Sequence, residues 1–458
     1  MSDQPTPTRD PTSGGTTTEV VRLAYPVVLS MLAHTVMGLV DTLFMGWVST
    51  DAQAAVGLGS IVAWSFASLF TGTISAVNTF VAQHYGAGQL SRCGKAAWHG
   101  LALAAIGSVI LVTVGAPLVS RMVQLFGADA AVGTIAASYS FIRVAGGPVI
   151  CFEMALNSFM RGIGDTRTPM KVAIGMMVLN VPLNYLLVFG GLGLQGTGPD
   201  GAAYATVIAG GLGVAVLFAL FLRRRWREEL GTGWPGGLQL SEIYALLRVG
   251  LPIGIHWMLE MVTWTVFTVI VARFGAVSLA AHNIVLQVLH LSFMPGVAIS
   301  IAATTLVGQG LGAADKAAAR RAAISSLGVA VLFMTLMGGC FLLASGWIGE
   351  QFSTDVRVVE LVGQLFVYAA CFQIFDALGM VSGGVLRGAG ITRFPMAVSL
   401  ACAAVLFGPL VWLFAFRLDG GVVGAWAAMT VTICVLGTIL ALRVRGRSWL
   451  DVDLVVGH

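Results

Sequence analysis

Four carboxylates stand inside stretches that are otherwise apolar enough to lie in a bilayer: Asp41, Glu153, Glu260 and Asp376. An ionised side chain at the centre of a membrane helix costs about 2.5–3.5 kcal/mol on insertion scales. Four such costs point to a water-filled cavity, in which the acids pair with one another, with polar side chains or with a transported cation. Asp41 shares a helical face with His34, Met37 and Met45. Two amides, Asn180 and Asn184, lie one turn apart on either side of Pro182. Carboxylate and amide oxygens are hard ligands that suit a sodium ion, and a carboxylate in a half-dry cavity can instead carry a proton. From the residues alone both chemistries are open.

Glu260 has His256 one turn before it, with Trp257 and Trp264 at neighbouring positions of the same face. An acid flanked by aromatic rings offers a lipophilic cation both charge attraction and cation–π contact. The alternative is a fixed partner such as His256 that neutralises the acid. Asp376 has Phe372 and Gln373 on its face. Glu153 shares a face with Asn157 and lies near Arg143 in the same span, so an internal Arg–Glu pair and a place on an ion pathway are equally open. His282 and His290 have no carboxylate between them and read as core or cavity hydrogen-bonding groups. The 18 methionines, several beside the acids, either pack or form an adaptable cavity wall.

The elements that hold these groups follow from composition. With 57% hydrophobic and 10% charged residues, 58 glycines and a mean hydropathy of +0.88, a water-soluble globule is excluded, because soluble domains carry about 25% charged residues. Segments of ~20 apolar residues predict an all-α integral membrane protein of twelve transmembrane helices, at 20–47, 54–82, 97–118, 133–160, 169–190, 201–222, 246–272, 280–306, 322–345, 358–386, 395–416 and 421–442. A shift of 226 residues lays the chain over itself. Arg22–Pro26 falls on Arg248–Pro252, Gln83–Ala87 on Gln309–Ala313, and RGIGDTRTPM (Arg161–Met170) on RGAGITRFPM (Arg387–Met396). The chain is therefore two homologous six-helix lobes. An even number of crossings gives both lobes one orientation, related by a pseudo-two-fold axis along the membrane normal.

The expected organisation is a disordered cytoplasmic tail at 1–18, an amino-terminal lobe at 19–222, a cytoplasmic linker at 223–243, a carboxy-terminal lobe at 244–444 and a cytoplasmic tail at 445–458. Residues 1–18 lack the basic and apolar regions of a cleaved signal. With the amino terminus inside, 20 of the 25 Lys and Arg fall on cytoplasmic segments and four on the opposite face. That bias places the protein in the plasma (inner) membrane with both termini cytoplasmic. It also accounts for the net charge of +4 without a nucleic-acid partner. The linker run Arg223–Glu229 reads as a topology anchor, with anionic lipid as a second possibility. The six cysteines are isolated and read as small core residues, with no disulfide and no thiolate metal site. The RG-x-G-x-TR-x-PM segments between the fourth and fifth spans of each lobe read as structural turns. Neither a preceding strand nor a following Lys-Ser/Thr supports a phosphate loop.

Several motifs then carry a specific resemblance. VDTLFMGWVS at the end of span 1, VAQHYGAG at the end of span 2, ALNSFMRGIGDTRTPM at the span 4–5 junction and NVPLNYLLVFG in span 5 resemble the multidrug and toxic compound extrusion (MATE) family over about residues 20–445. The resemblance implies a bacterial secondary antiporter, not an enzyme, that exports small organic cations against an inward gradient of Na+ or H+, with no cofactor. The family pattern implies an amino-lobe cation site on Asp41, Asn180, Asn184 and Thr206, and a carboxy-lobe acidic pair on Glu260 and Asp376. His34, Glu153, His256, Trp257 and Trp264 are further cavity candidates. Some members carry Asp where Asn184 stands, so this site has one formal negative charge and its coupling ion is left open. The fold needs no partner subunit, and a monomer is expected.

The main alternative of the same superfamily is a flippase for lipid-linked or glycan substrates, which would line its cavity with Arg or Lys. An integral-membrane enzyme would need a catalytic cluster near one interface, and the sequence shows none. The basic Gly-Asp-Arg loop of the major facilitator superfamily is also missing; the segment after span 2 reads QHYGAGQLSRCGK.

Overall fold

The computed structural model describes residues 14–125, 130–191 and 193–452. Eleven helices among them are long and apolar enough to cross a bilayer. Span 1 is Thr17–Val48, span 2 Thr50–Gly86, span 3 Leu90–Val123, span 5 Arg167–Phe189 and span 6 Pro199–Phe221. The second lobe holds span 7 Leu240–Ala272, span 8 Ala276–Gly312, span 9 Lys316–Phe352, span 10 Val356–Gly388, span 11 Arg393–Arg417 and span 12 Gly421–Arg445. Span 4 is a bent pair, Ala131–Ala145 and Gly147–Gly162, with 43° between its halves. Pro148 in the first turn of the second half accounts for the break, because it cannot donate into the preceding turn. The twelve spans of the sequence reading are all present, and most run several residues further into the interfaces.

Both flanks of the helical bundle carry defined structure among the described residues. Span 1 begins at Thr17, inside the segment expected to be disordered. Its start is set by a capping box in which the Thr16 side chain accepts from the Glu19 amide and Glu19 reaches back to the cap. Residues 1–13 of the expected tail lie outside the described residues. At the other end, Ser448–Asp451 forms a 3-10 turn. There Trp449 is buried with its indole N–H on the Val444 carbonyl at 2.7 Å, and Lys316 pairs with Asp451 at 2.6 Å. The linker contains a helix, Arg224–Leu230, and rests on span 3 through Trp98, whose ring N–H donates to the Thr232 carbonyl at 3.1 Å. A two-residue antiparallel pairing, Gly190–Gly191 with Leu194–Gln195, joins spans 5 and 6 and is the one departure from an all-helical chain among the described residues.

The buried apolar clusters show how the lobes meet. In the half of the molecule far from the amino terminus, each lobe has its own core. One is built on Phe44, Met45, Val56 and Tyr139, the other on Phe267, Phe366, Phe407 and Trp426. In the near half the cores cross. Val20, Ala24 and Val27 of span 1 pack with Ala298, Ile299 and Ala302 of span 8, and Leu246, Val249 and Ile253 of span 7 pack into the amino-lobe cluster. Small residues permit the second crossing, since a Cβ on Gly250 or Gly254 would strike the backbone of span 2.

Candidate functional site

Asp41 lies in the last quarter of span 1 and is 4% exposed. Its Oδ1 accepts from Asn184 Nδ2 and its Oδ2 accepts from the Thr206 hydroxyl at 3.1 Å. Asn180 Nδ2 donates to that same hydroxyl oxygen at 3.3 Å. Spans 1, 5 and 6 thus deliver all four amino-lobe residues of the sequence reading to one point. Helical periodicity explains the local geometry: Asn180 and Asn184 are one turn apart, and Pro182 between them lies inside a continuous helix.

Two hydrogen bonds to an ionised carboxylate contribute about 1.5–3 kcal/mol each. Their sum is of the same order as the cost of placing the charge in the membrane. The side-chain oxygens of Asn180 and Asn184 are buried without a hydrogen-bond partner. With the carboxylate and the Thr206 hydroxyl they make a buried polar cradle where spans 1, 5 and 6 meet.

Two neighbours of Asp41 escaped the sequence reading. Tyr139, 1% exposed, borders Asp41, and its phenol oxygen accepts from Ser60 at 3.3 Å. The Arg143 guanidinium acts electrostatically on Asp41, and its Nε is buried without a partner. Both come from the first half of span 4, and their spacing of four residues on one helical face was the available signal.

Glu153 is not paired with Arg143, as the sequence reading had left open. Its Oε1 meets His34 Nε2 at 3.2 Å and accepts from Asn157 Nδ2 at 3.3 Å. His34 shares a helical face with Asp41 but faces span 4, so the two groups belong to different clusters.

In the carboxy lobe, Glu260 and Asp376 are half-buried and close enough to feel each other's charge. Among the described residues His256 makes no hydrogen bond to Glu260, and its Nδ1 is unpartnered. The charge facing Glu260 is instead Arg387, whose Nη2 donates to Ser300 Oγ at 2.8 Å. Arg161 acts in the same way on Glu153. Both arginines fall in the turns expected to be cytoplasmic, yet their side chains reach inward, as long cationic stems can.

The tryptophans do not form a shared aromatic cage around Glu260. Trp257 packs against the amino-lobe cluster, and Trp264 against the carboxy-lobe core. His282 hydrogen-bonds Thr268 at 3.0 Å and stacks edge-on against Phe267 and Trp426, a core role. Gln373, fully buried, donates to Ser292 at 2.9 Å. Among the described residues no three His, Cys, Asp or Glu side chains converge as a metal-ligand set.

Comparison with known proteins gives one answer. The family model MatE matches residues 26–186 and again 252–413, once in each lobe. The chain is 31% identical over 445 residues to the "Probable multidrug resistance protein NorM" of Pseudomonas putida, covering 94% of both chains. It is also 31% identical to the "Multidrug resistance protein NorM" of Burkholderia vietnamiensis, covering 93% of both. Among solved structures, a MOP superfamily transporter from Pyrococcus furiosus, described as having a binding pocket of reverse polarity, superposes with a TM-score of 0.89 at 20% identity, over 98% of this chain and 100% of that one. An outward-facing multidrug resistance MATE family transporter superposes with a TM-score of 0.87, also at 20% identity, over 98% of this chain and 100% of that one. With both repeats matched and relatives aligned nearly end to end, the chain belongs to the MatE family of membrane transporters.

Proposed function

We propose that the protein is a secondary active multidrug exporter that moves small organic cations out of the cell in exchange for sodium ions or protons. The observation that carries this reading is the Asp41 cradle, a single buried carboxylate flanked by the unpartnered oxygens of Asn180 and Asn184. One monovalent cation neutralises it. In the exchange, the acids of the cavity attract a cationic substrate from the inner side. Arrival of Na+ or H+ from outside neutralises a carboxylate, removes the substrate's counter-charge and favours release. Exchange requires substrate and coupling ion to compete, directly or through the arrangement of the lobes. The relatives named for multidrug resistance support this substrate class.

Charge in the membrane also weighs against a flippase for pyrophosphate-linked lipids. Arg143, Arg161 and Arg387 act on Asp41, Glu153 and Glu260, so each guanidinium faces an acid and Asp376 is in excess. The test is ethidium export by the protein in proteoliposomes under an imposed proton gradient and, separately, a sodium gradient. Export under one gradient alone supports the reading and names the ion. A folded protein that exports under neither overturns it and favours the flippase.

A further inference from the structure

The turn motifs and the ends of spans 2 and 8 fit together across the lobe boundary. Span 4 ends in a Schellman turn: Asp165 N donates to the Met160 carbonyl, Gly164 N to the Arg161 carbonyl, and Gly164 takes φ +85°. Span 10 repeats it with Ile391 to Leu386, Gly390 to Arg387 and Gly390 at φ +78°. Each turn satisfies two terminal carbonyls and leaves that of the last helical residue, Gly162 or Gly388, without an intrahelical donor. Both are capped from the opposite lobe. Gln309 Nε2 donates to the Gly162 carbonyl at 2.9 Å, and Gln83 Nε2 donates to the Gly388 carbonyl at 2.9 Å.

Gln83 and Gln309 are equivalent in the 226-residue repeat, as are Gly162 and Gly388, so the two bonds are one contact made twice about the pseudo-two-fold. Both glutamines are buried. The backbones touch beside them: a Cβ on Gly86 would overlap the Gln309 carbonyl, and one on Gly312 would overlap that of Gln83. Thr79 adds a bond to the Arg387 carbonyl at 3.0 Å, and Thr305 one to Asn78 at 3.1 Å. All of these contacts lie at the membrane face where the chain begins, cytoplasmic by its Lys and Arg bias, whereas the outer cores stay separate.

We infer that Gln83 and Gln309 are the positioning residues of a reciprocal latch that closes the cytoplasmic side of the transporter. By holding the lobes together there, they set how much protein is available to take the coupling ion from outside. The inference rests on the exporter reading for its role in transport, but the latch itself is a property of the lobe boundary. When the lobes part, water reaches the Gly162 and Gly388 carbonyls and replaces the glutamine donors, so the bonds cost little to exchange and favour closure only while the seam is dry.

The test places spin labels at exposed Arg92 and Ala317, just beyond the latch in the two lobes, and measures their separation by double electron–electron resonance. Gln83→Glu and Gln309→Glu replace a donor with an acceptor of the same shape. Each is expected to move the open-to-closed ratio toward the long-distance population by on the order of tenfold. Gly86→Ala and Gly312→Ala act by a separate route. Alanine favours the helix, yet its methyl fits only when the lobes are apart, so these variants fold even where a buried Glu does not, and shift the distances the same way.

In proteoliposomes all four variants raise the apparent KM for the external driving ion, in inverse proportion to the fraction of protein that remains closed, while saturating ion restores the maximal rate. Folded variants whose distances match the wild type overturn the latch, whatever the wild type transports. A shift in distances supports the latch even where the wild type moves no organic cation, in which case it is the exporter reading that falls.

Discussion

The two lobes share a backbone and divide the chemistry. Where the amino lobe has Asp41, the equivalent position of the carboxy lobe is Phe267, and Asn180 and Asn184 are answered by Leu406 and Leu410. Phe267 is fully buried against His282, Phe407 and Trp426. Only the threonine is kept: Thr206 and Thr432 both bond back to the carbonyl four residues earlier, at 3.2 and 2.8 Å. The outer half of one lobe thus holds a polar cradle and that of the other a dry aromatic plug. The acids of the carboxy lobe, Glu260 and Asp376, lie elsewhere, on the helices that answer His34 and Glu153. The repeat supplied one frame, and the polar residues of the cradle stand in one copy of it.

The sharpest way to break this comparison is Asp41→Asn, which removes the cradle's only charge. It is expected to abolish gradient-driven ethidium export while leaving protein yield intact; export at the wild-type rate would end the assignment. Glu260→Gln is next, expected to abolish coupled efflux as well if the carboxy-lobe acids hold the substrate. Normal efflux in both variants would remove the proposed mechanism altogether.

Phe267→Asp tests the plug from the other side. Losing the fully buried ring empties the packing against Phe407 and Trp426 and puts a charge in its place, which should cost several kcal/mol, read as a fall in thermal-unfolding midpoint in detergent. An unchanged midpoint would show that the carboxy lobe is wetter than its packing indicates. His34→Gln keeps a donor for Glu153 but loses the ionic component. A few-fold loss of transport is expected, from a partly exposed pair worth about 1 kcal/mol. The smallest effect is expected of Arg224→Ala and Arg225→Ala, whose pairs with Glu228 and Glu229 at 2.9 and 3.1 Å are exposed. These should change stability by less than about 0.5 kcal/mol and leave transport unaltered.

The sequence made some of this legible and hid the rest for physical reasons. The spans could be read because twenty apolar residues have one use in a chain this hydrophobic. The repeat could be read because Gln83, Gly162 and Arg161 recur 226 residues later. The cradle was named before it was seen, since buried carboxylates are costly enough to stand out and the family motif supplied Thr206. Tyr139 and Arg143 were missed because their approach to Asp41 depends on how span 4 is rotated and bent at Gly146, which no periodicity within span 1 reveals. Arg161 and Arg387 were read as loop anchors because a helical position fixes the backbone and not the direction of a six-atom stem. The separate packing of Trp257 and Trp264 was hidden for the same reason: one face of span 7 crosses from one core to the other along its length.

That crossing bears on how the protein is made. Val27 of span 1 leaves the ribosome 272 residues before Ile299, its partner in the shared core. At roughly 5–20 residues per second this is a wait of roughly 15–55 s. Throughout it, only the far end of the first helix has partners in its own half, on spans 5 and 6, and the Val20–Val27 end waits for span 8. Neither half alone therefore buries the end of the helix that crosses into the other. A chain stopped after span 6 should be cleared by quality-control proteases, whereas two halves produced together, parted at Gly236–Gly237, have the means to exchange their leading helices and complete each other.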